Sequence, residues 1–132
     1  MFYSNILIGA LFLMSFTNHQ TVRSSSSDNN MGSRVYGKSS YRILDTTGFY
    51  LYSINKLVQG EKIARPETVY YFSVTAGGPL QELTVANLEN VFAGNAKFRY
   101  SVEAEFRSDK ELMAYDGVLK MYKIKYLYGQ SL

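Results

Sequence analysis

Read from its N-terminus, the chain opens on an apolar run, Met1 to Phe16, crosses a polar stretch from Thr17 to Ser40, and then alternates short apolar segments with turn-forming residues to its end. The opening run has the length of a secretory signal's apolar centre and falls short of the roughly 20 residues a membrane-spanning helix needs. It is expected to be a leader ending near residue 23, with no transmembrane span, although no Lys or Arg precedes it and Asn5 interrupts it. Two alternatives stay open: a buried N-terminal strand or helix of the domain itself, or translation beginning at Met31. Residues 24–40 include four consecutive serines followed by Asp28, Asn29 and Asn30. Such a composition buries too little apolar area to offset ordering entropy, so a disordered linker is expected there, with one folded domain over 41–132.

Within the domain the period of the pattern is first two and then about 3.6. Tyr41 to Asp45 and Phe49 to Asn55 are β-prone runs joined by Thr46, Thr47 and Gly48, which predicts a hairpin with Gly48 at positive φ. In the second run Phe49, Leu51 and Ser53 share one face, while Tyr50, Tyr52 and Ile54 share the other. Lys56 to Glu67 contains Gly60 and the pair Arg65-Pro66 and is expected to be a loop, with a strand-like patch at Leu57-Val58 left open within it. From Thr68 the alternation of Tyr70, Phe72, Val74 and Ala76 with Tyr71, Ser73 and Thr75 predicts a strand, and Gly77-Gly78 a two-residue hairpin turn into Leu80 to Leu83.

Helical signals follow. Thr84 is the expected N-cap of a helix carrying Val85, Leu88 and Phe92, fastened by a Leu83–Leu88 staple. Gly94 is expected to end that helix in a left-handed conformation, and Asn95 to cap a second with Phe98, Val102 and Phe106 as its apolar stripe. Ser108-Asp109-Lys110-Glu111 has the form of a capping box. Leu112, Tyr115, Leu119, Tyr122 and Tyr126 recur at helical spacing after it, which predicts a third helix running to the C-terminus. The alternation of Tyr122, Ile124, Tyr126 and Tyr128 leaves a last strand open as the competing reading. The fold class is therefore α+β: a small antiparallel sheet of three to four strands followed by two to three helices packed on one of its faces.

Composition adds limits rather than a function. With 46% hydrophobic and 19% charged residues the chain is globular, and 12 Tyr and 8 Phe with no Trp suit half-buried sheet surfaces. The formal charge of +3 is a thin margin, and it falls if Arg23 leaves with the leader. There is no Cys, and the one histidine, His19, lies in the expected leader or linker. Thiolate chemistry is thereby excluded, and a His-based triad, metal site or acid–base pair is not expected in the domain; no cofactor is expected. Among the carboxylates, Glu103 and Glu105 do not share a helix face, and Asp109, Glu111 and Asp116 sit where helix starts favour negative charge. Lys120, Lys123 and Lys125, interleaved with tyrosines, are the candidate anion contact. Helix C-terminal charge explains them as well, and nucleic acid is not the expected partner.

The segment TVYYFSVTAGGPLQELTVANLENVFAGNAKF, followed by FRSDKELMAYDGVLKMYKIKYLY, resembles small exported proteins of Bacteroidetes-type bacteria. The shared features are an L-T-x-x-N-L helix start, an F-x-S-D-x-E-L segment and a Tyr-rich tail, over roughly Gly48 to Leu127. The resemblance implies export and one compact domain, and it carries no catalytic residue onto this chain. The expected function is a non-catalytic, exported (periplasmic or secreted) interaction module whose partner is a protein or glycan at the cell envelope. Tyr50, Tyr52 and Tyr71 are the candidate binding face, since aromatics dominate recognition surfaces, and a place in the core is the equal alternative for them. A small carboxylate-based enzyme is the alternative, and a nucleic-acid or anionic-membrane contact through the basic C-terminal segment a further one.

Overall fold

A computed structural model describes residues 31–132. The expected leader and the first part of the expected linker lie outside the described residues. The chain is α+β. Five antiparallel strands, β1 (Ser33–Tyr36), β2 (Ser39–Asp45), β3 (Tyr50–Gln59), β4 (Ala64–Ser73) and β5 (Gln81–Glu82), form a meander in sequence order. Helices α1 (Val85–Val91), α2 (Ala96–Glu105) and α3 (Lys123–Gln130) follow, with a 3₁₀ turn at Asp109–Met113 and a ribbon of β6 (Tyr115–Asp116) and β7 (Met121–Tyr122) before α3.

The sheet begins earlier and reaches further than expected. β1 lies inside the stretch expected to be linker and pairs with β2 through the two-residue turn Gly37-Lys38, where Gly37 has φ 62°. The expected Lys56–Glu67 loop is also corrected. β3 and β4 pair continuously from Tyr50↔Ser73 to Gln59↔Ala64, forming a hairpin arm on which Leu57 and Ile63 are exposed. Pro66 fits because of strand parity. The Tyr70 carbonyl points outward to the Leu83 amide at 2.8 Å, so Thr68 and Pro66, two and four residues earlier, also point outward. Pro66 thus removes a donor that no ladder bond uses and blunts a free edge.

One sheet face is dry. Leu51 lies opposite Phe72, and both join Phe49, Leu83, Leu88, Phe92, Phe98, Val102, Phe106, Leu112 and Ile124 in the core. Phe49, fully buried, meets the rings of Phe72, Phe92, Phe98 and Tyr128 at centroid distances of 5.2 to 6.2 Å. Gly48 makes this possible: its φ is 75°, and a Cβ there would stand 2.7 Å from the Tyr128 ring. A bulge at Leu44, between Ile43↔Tyr52 and Asp45↔Leu51, puts both Leu44 and Asp45 on the helix side. Asp45 there meets Lys125 of α3 at 3.5 Å.

The first two helix starts are as the sequence predicts. The Thr84 hydroxyl accepts from the Asn87 amide at 3.1 Å, the Asn95 carbonyl oxygen accepts from the Phe98 amide at 3.1 Å, and Leu83 and Leu88 are buried together. Other expectations fail. Gly77 and Gly78 do not make a two-residue hairpin: β4 and β5 are joined by a longer loop with a turn closed from Gly78 N–H to the Thr75 carbonyl, and neither glycine has positive φ. Gly94 does not have positive φ either. The capping box closes only in part, since Ser108 makes no side-chain cap bond while Glu111 accepts from the Arg107 amide at 2.7 Å. It starts one 3₁₀ turn, not a long helix. The Asp116 carboxylate then accepts from the Val118 and Leu119 amides, which hold it below the ordinary carboxylate range and fold the chain into the β6–β7 turn. The buried positions of α3 are Ile124 and Lys125 rather than the expected tyrosine stripe.

Candidate functional site

Strand parity gives the sheet a second face, turned away from the helices. Tyr52 and Tyr71 are cross-strand partners on it, Ile43 lies opposite Tyr52, and Arg34 lies opposite Tyr41. Tyr50, Tyr52 and Tyr71 are thus brought together as expected, but their roles differ. The Tyr52 ring is 1% exposed, so it is corrected from a contact residue to the floor of the face. Tyr50 stacks over it at 6.4 Å and 17°, and Tyr71 meets Tyr41 edge-on at 5.1 Å. Both remain partly exposed.

Arg34 covers Tyr52. Its guanidinium carbon stands 5.3 Å from the Tyr36 ring centroid and 5.6 Å from that of Tyr52. Its nitrogens donate to the Tyr52 hydroxyl at 3.2 Å, the Ser73 hydroxyl at 3.3 Å and the Gly78 carbonyl. The Tyr52 and Ser73 hydroxyls bond each other at 2.9 Å, and Ser73 donates to the Thr75 carbonyl at 2.7 Å. One side chain from the first strand therefore ties the β4–β5 loop across the sheet. Among the described residues every acceptor it uses is neutral, so none of them balances its positive charge with a carboxylate hydrogen bond. A second cation, Lys56, sits 4.7 Å above the Tyr71 ring and donates to the Tyr71 hydroxyl, which raises its pKa above the ordinary lysine value.

The result is an aromatic face carrying two cations, with rings fixed in position before any partner arrives. None of Arg34, Tyr36, Tyr50, Tyr52, Lys56 and Tyr71 belongs to the helix-facing core. Sequence reasoning missed Arg34, Tyr36, Lys56 and Ser73. Arg34 and Tyr36 lie in a stretch whose Gly and Ser content reads as linker, although Gly37-Lys38 between two β-prone runs is a hairpin signal.

The expected anion contact does not assemble. Lys120 is exposed in the β6–β7 turn with φ 53°, and Lys123 is paired with Glu105 at 3.0 Å. Lys125 is buried and turned inward: its ammonium donates to the Thr47 carbonyl at 2.7 Å and to the Phe49 carbonyl, and lies 3.9 Å from the Phe49 ring centroid. Burial depresses its pKa from 10.5 to about 8, against the opposing pull of Asp45. Lys123 and Lys125 diverge because residues two apart on a helix face different ways.

The carboxylates are mostly structural. Asp109 accepts from the Val85 amide at 2.8 Å at the start of α1, and Glu111 and Asp116 are engaged as described. Glu89 shares a hydrogen bond with Glu103, which raises its pKa. A groove of about 460 Å³ beside the free edge of β4 is lined in part by Glu67, Glu82, Asp109 and Lys110, and neither Glu89 nor Glu103 lines it. Among the described residues no cluster of His, Cys, Asp and Glu could hold a metal ion, and no helix is long and apolar enough to cross a membrane.

Comparison of the chain with models of protein families, with curated proteins and with solved structures finds no match.

Proposed function

We propose that this chain is an exported, non-catalytic binding module, related to the small Bacteroidetes-type exported proteins it resembles, that takes a protein partner at the cell envelope on its tyrosine face. The observation that carries the proposal is the set formed by Tyr36, Tyr50 and Tyr71 with Arg34 and Lys56 on a sheet face outside the core. Tyr and Arg are the residue types that concentrate binding energy in protein interfaces, and rings already stacked lose little freedom on binding. The guanidinium, bonded among the described residues to neutral oxygens, favours a partner that presents a carboxylate next to apolar surface.

The alternatives have less support. A carboxylate enzyme needs two acids within reach of each other inside a pocket. The acids that interact, Glu89 and Glu103, lie outside the acid-lined groove, and Asp109 within it caps α1. A nucleic-acid or anionic-membrane contact through the C-terminal segment would rest on three lysines, of which one is exposed, one ion-paired and one buried.

Two measurements test the reading. N-terminal sequencing of the protein from its native host should show cleavage near residues 16–23; an intact Met1 would refute export. A photo-crosslinking residue at Tyr36 or Tyr50 should capture an envelope protein that the same residue at Tyr100, exposed on α2, does not. Equal capture from both positions would refute the face.

A further inference from the structure

The helix-facing side of the sheet changes character from one cross-strand row to the next. The row of Leu44, Leu51 and Phe72 is packed into the core. The next row runs Arg42, Ser53, Tyr70, and the one after it brings Asn55 opposite Thr68. The helical layer stops between them, because the chain turns there into the 3₁₀ segment and the β6–β7 ribbon, whose Met113 and Tyr122 form an end wall. Ser53 is too short to fill the space above it. What remains is a groove of about 560 Å³, within the range of small-ligand sites.

Its lining is unusual for a small-molecule site. Apolar ligands select mainly apolar walls, whereas this groove presents the hydroxyls of Ser40, Ser53, Tyr70 and Tyr122, the Asn55–Thr68 pair and one guanidinium. Thr68 donates to the Asn55 carbonyl oxygen at 2.9 Å, which leaves the Asn55 amide hydrogens directed elsewhere. The side chains of Arg42, Tyr70 and Tyr122 make no hydrogen bond or ion pair among the described residues. Burial, Tyr70 and Asp45 raise the pKa of the Tyr122 phenol and Arg42 lowers it, so the guanidinium and the hydroxyls share one locality with the Asp45 carboxylate, which is itself paired with Lys125 at 3.5 Å.

We infer that this groove is a binding site for an acidic saccharide, an oligosaccharide whose sugar ring carries a carboxylate. Ring hydroxyls match the Ser, Thr and Asn groups, each of which both donates and accepts. The carboxylate matches the fork of the unpaired Arg42 guanidinium. Tyr70 and Tyr122 supply the flat apolar contact that a sugar ring's C–H surface requires. A phosphate monoester, with nearly two negative charges, would call for more than one cation. The site lies on the sheet face opposite the tyrosine cluster and is independent of it.

The test uses the full chain with digalacturonate as probe, followed by calorimetry and by ¹H–¹⁵N NMR, with digalactose and inorganic phosphate as controls. The expected result is saturable binding that shifts the amides of Arg42, Ser53 and Thr68, at least tenfold tighter than digalactose. Arg42→Gln should remove that preference, and Asn55→Leu should weaken both sugars. Both side chains are exposed, and a dispersed NMR spectrum shows that each variant is folded. Absence of binding at millimolar probe, equal affinity for the neutral sugar, phosphate matching digalacturonate, or shifts confined to Arg34 and Lys56 would each overturn the inference.

Discussion

Replacing Lys125 by Met asks whether a buried cation joins the sheet to the last helix. The Lys125 side chain is 2% exposed and holds the Thr47 and Phe49 carbonyls and the Asp45 carboxylate, which fastens α3 to the β2–β3 turn. Its pKa of about 8 in the folded chain, against 10.5 when exposed, means that the folded protein gives up this proton first. Between those two values the unfolded chain binds more protons than the folded one, so Lys125 makes stability rise with pH across the window and adds no slope below it. At 1.36 kcal/mol for each tenfold change in proton affinity, the full rise is at most about 3–4 kcal/mol. Two other groups act in the opposite direction but later. Tyr122, raised above 10 by burial, and Lys56, raised above 10.5 by Tyr71, both take stability away as pH climbs past 10. Urea unfolding of both proteins at pH 7.5, 8.5 and 9.5 isolates the effect. Lys125→Met should be less stable at pH 7.5 by about 1–3 kcal/mol, since the buried Phe49 carbonyl and the part-buried Thr47 carbonyl lose their donor. The gap between wild type and variant should widen toward pH 9.5. A gap that stays constant, or narrows, would refute the reasoning.

Three substitutions address the fold directly. Gly48→Ala should lower stability by about 1–2 kcal/mol, read as a fall in thermal midpoint, because the new Cβ combines a positive φ with a clash against Tyr128. Thr84→Ala should cost about 1 kcal/mol in urea unfolding through loss of the Asn87 cap bond, while Ser108→Ala should change little, since Ser108 makes no such bond. Arg34→Met should leave the core intact and speed hydrogen exchange in the β4–β5 loop, from which it removes the bond to the Gly78 carbonyl.

Features that depend on neighbouring residues were legible in the sequence. Thr84 and Asn95 cap as their residue types demand, Gly48 takes the positive φ its turn needs, and Leu88, Phe98 and Val102 are buried at helical spacing. What escaped depends on distant residues. Pro66 reads as a loop signal until the first part of β4 is known to be a free edge, with 66 and 68 among its outward positions. Asp116 pulls two amides into a turn, so a tyrosine series with helical spacing becomes a ribbon followed by a short helix. Lys125 reads as a surface charge because nothing near it in the chain reveals that Asp45, on a bulge about 80 residues earlier, faces it. For the site, period-two alternation put Tyr50 and Tyr52 on one face, and Tyr71 joins them through the β3–β4 register. It could not supply Arg34, whose acceptors lie on β3, β4 and the loop after β4.

The most direct test of the central claim, that the tyrosine face binds the partner, is retention of purified protein on envelope fractions of the native host. Tyr50→Ser combined with Tyr71→Ser should reduce retention about thirtyfold or more, the loss expected when interface aromatics worth about 2 kcal/mol are removed. Tyr100→Ser combined with Tyr126→Ser, both exposed on the helices, should leave it unchanged. Equal retention by a folded Tyr50→Ser, Tyr71→Ser protein, or loss in the helix variant alone, would contradict the account.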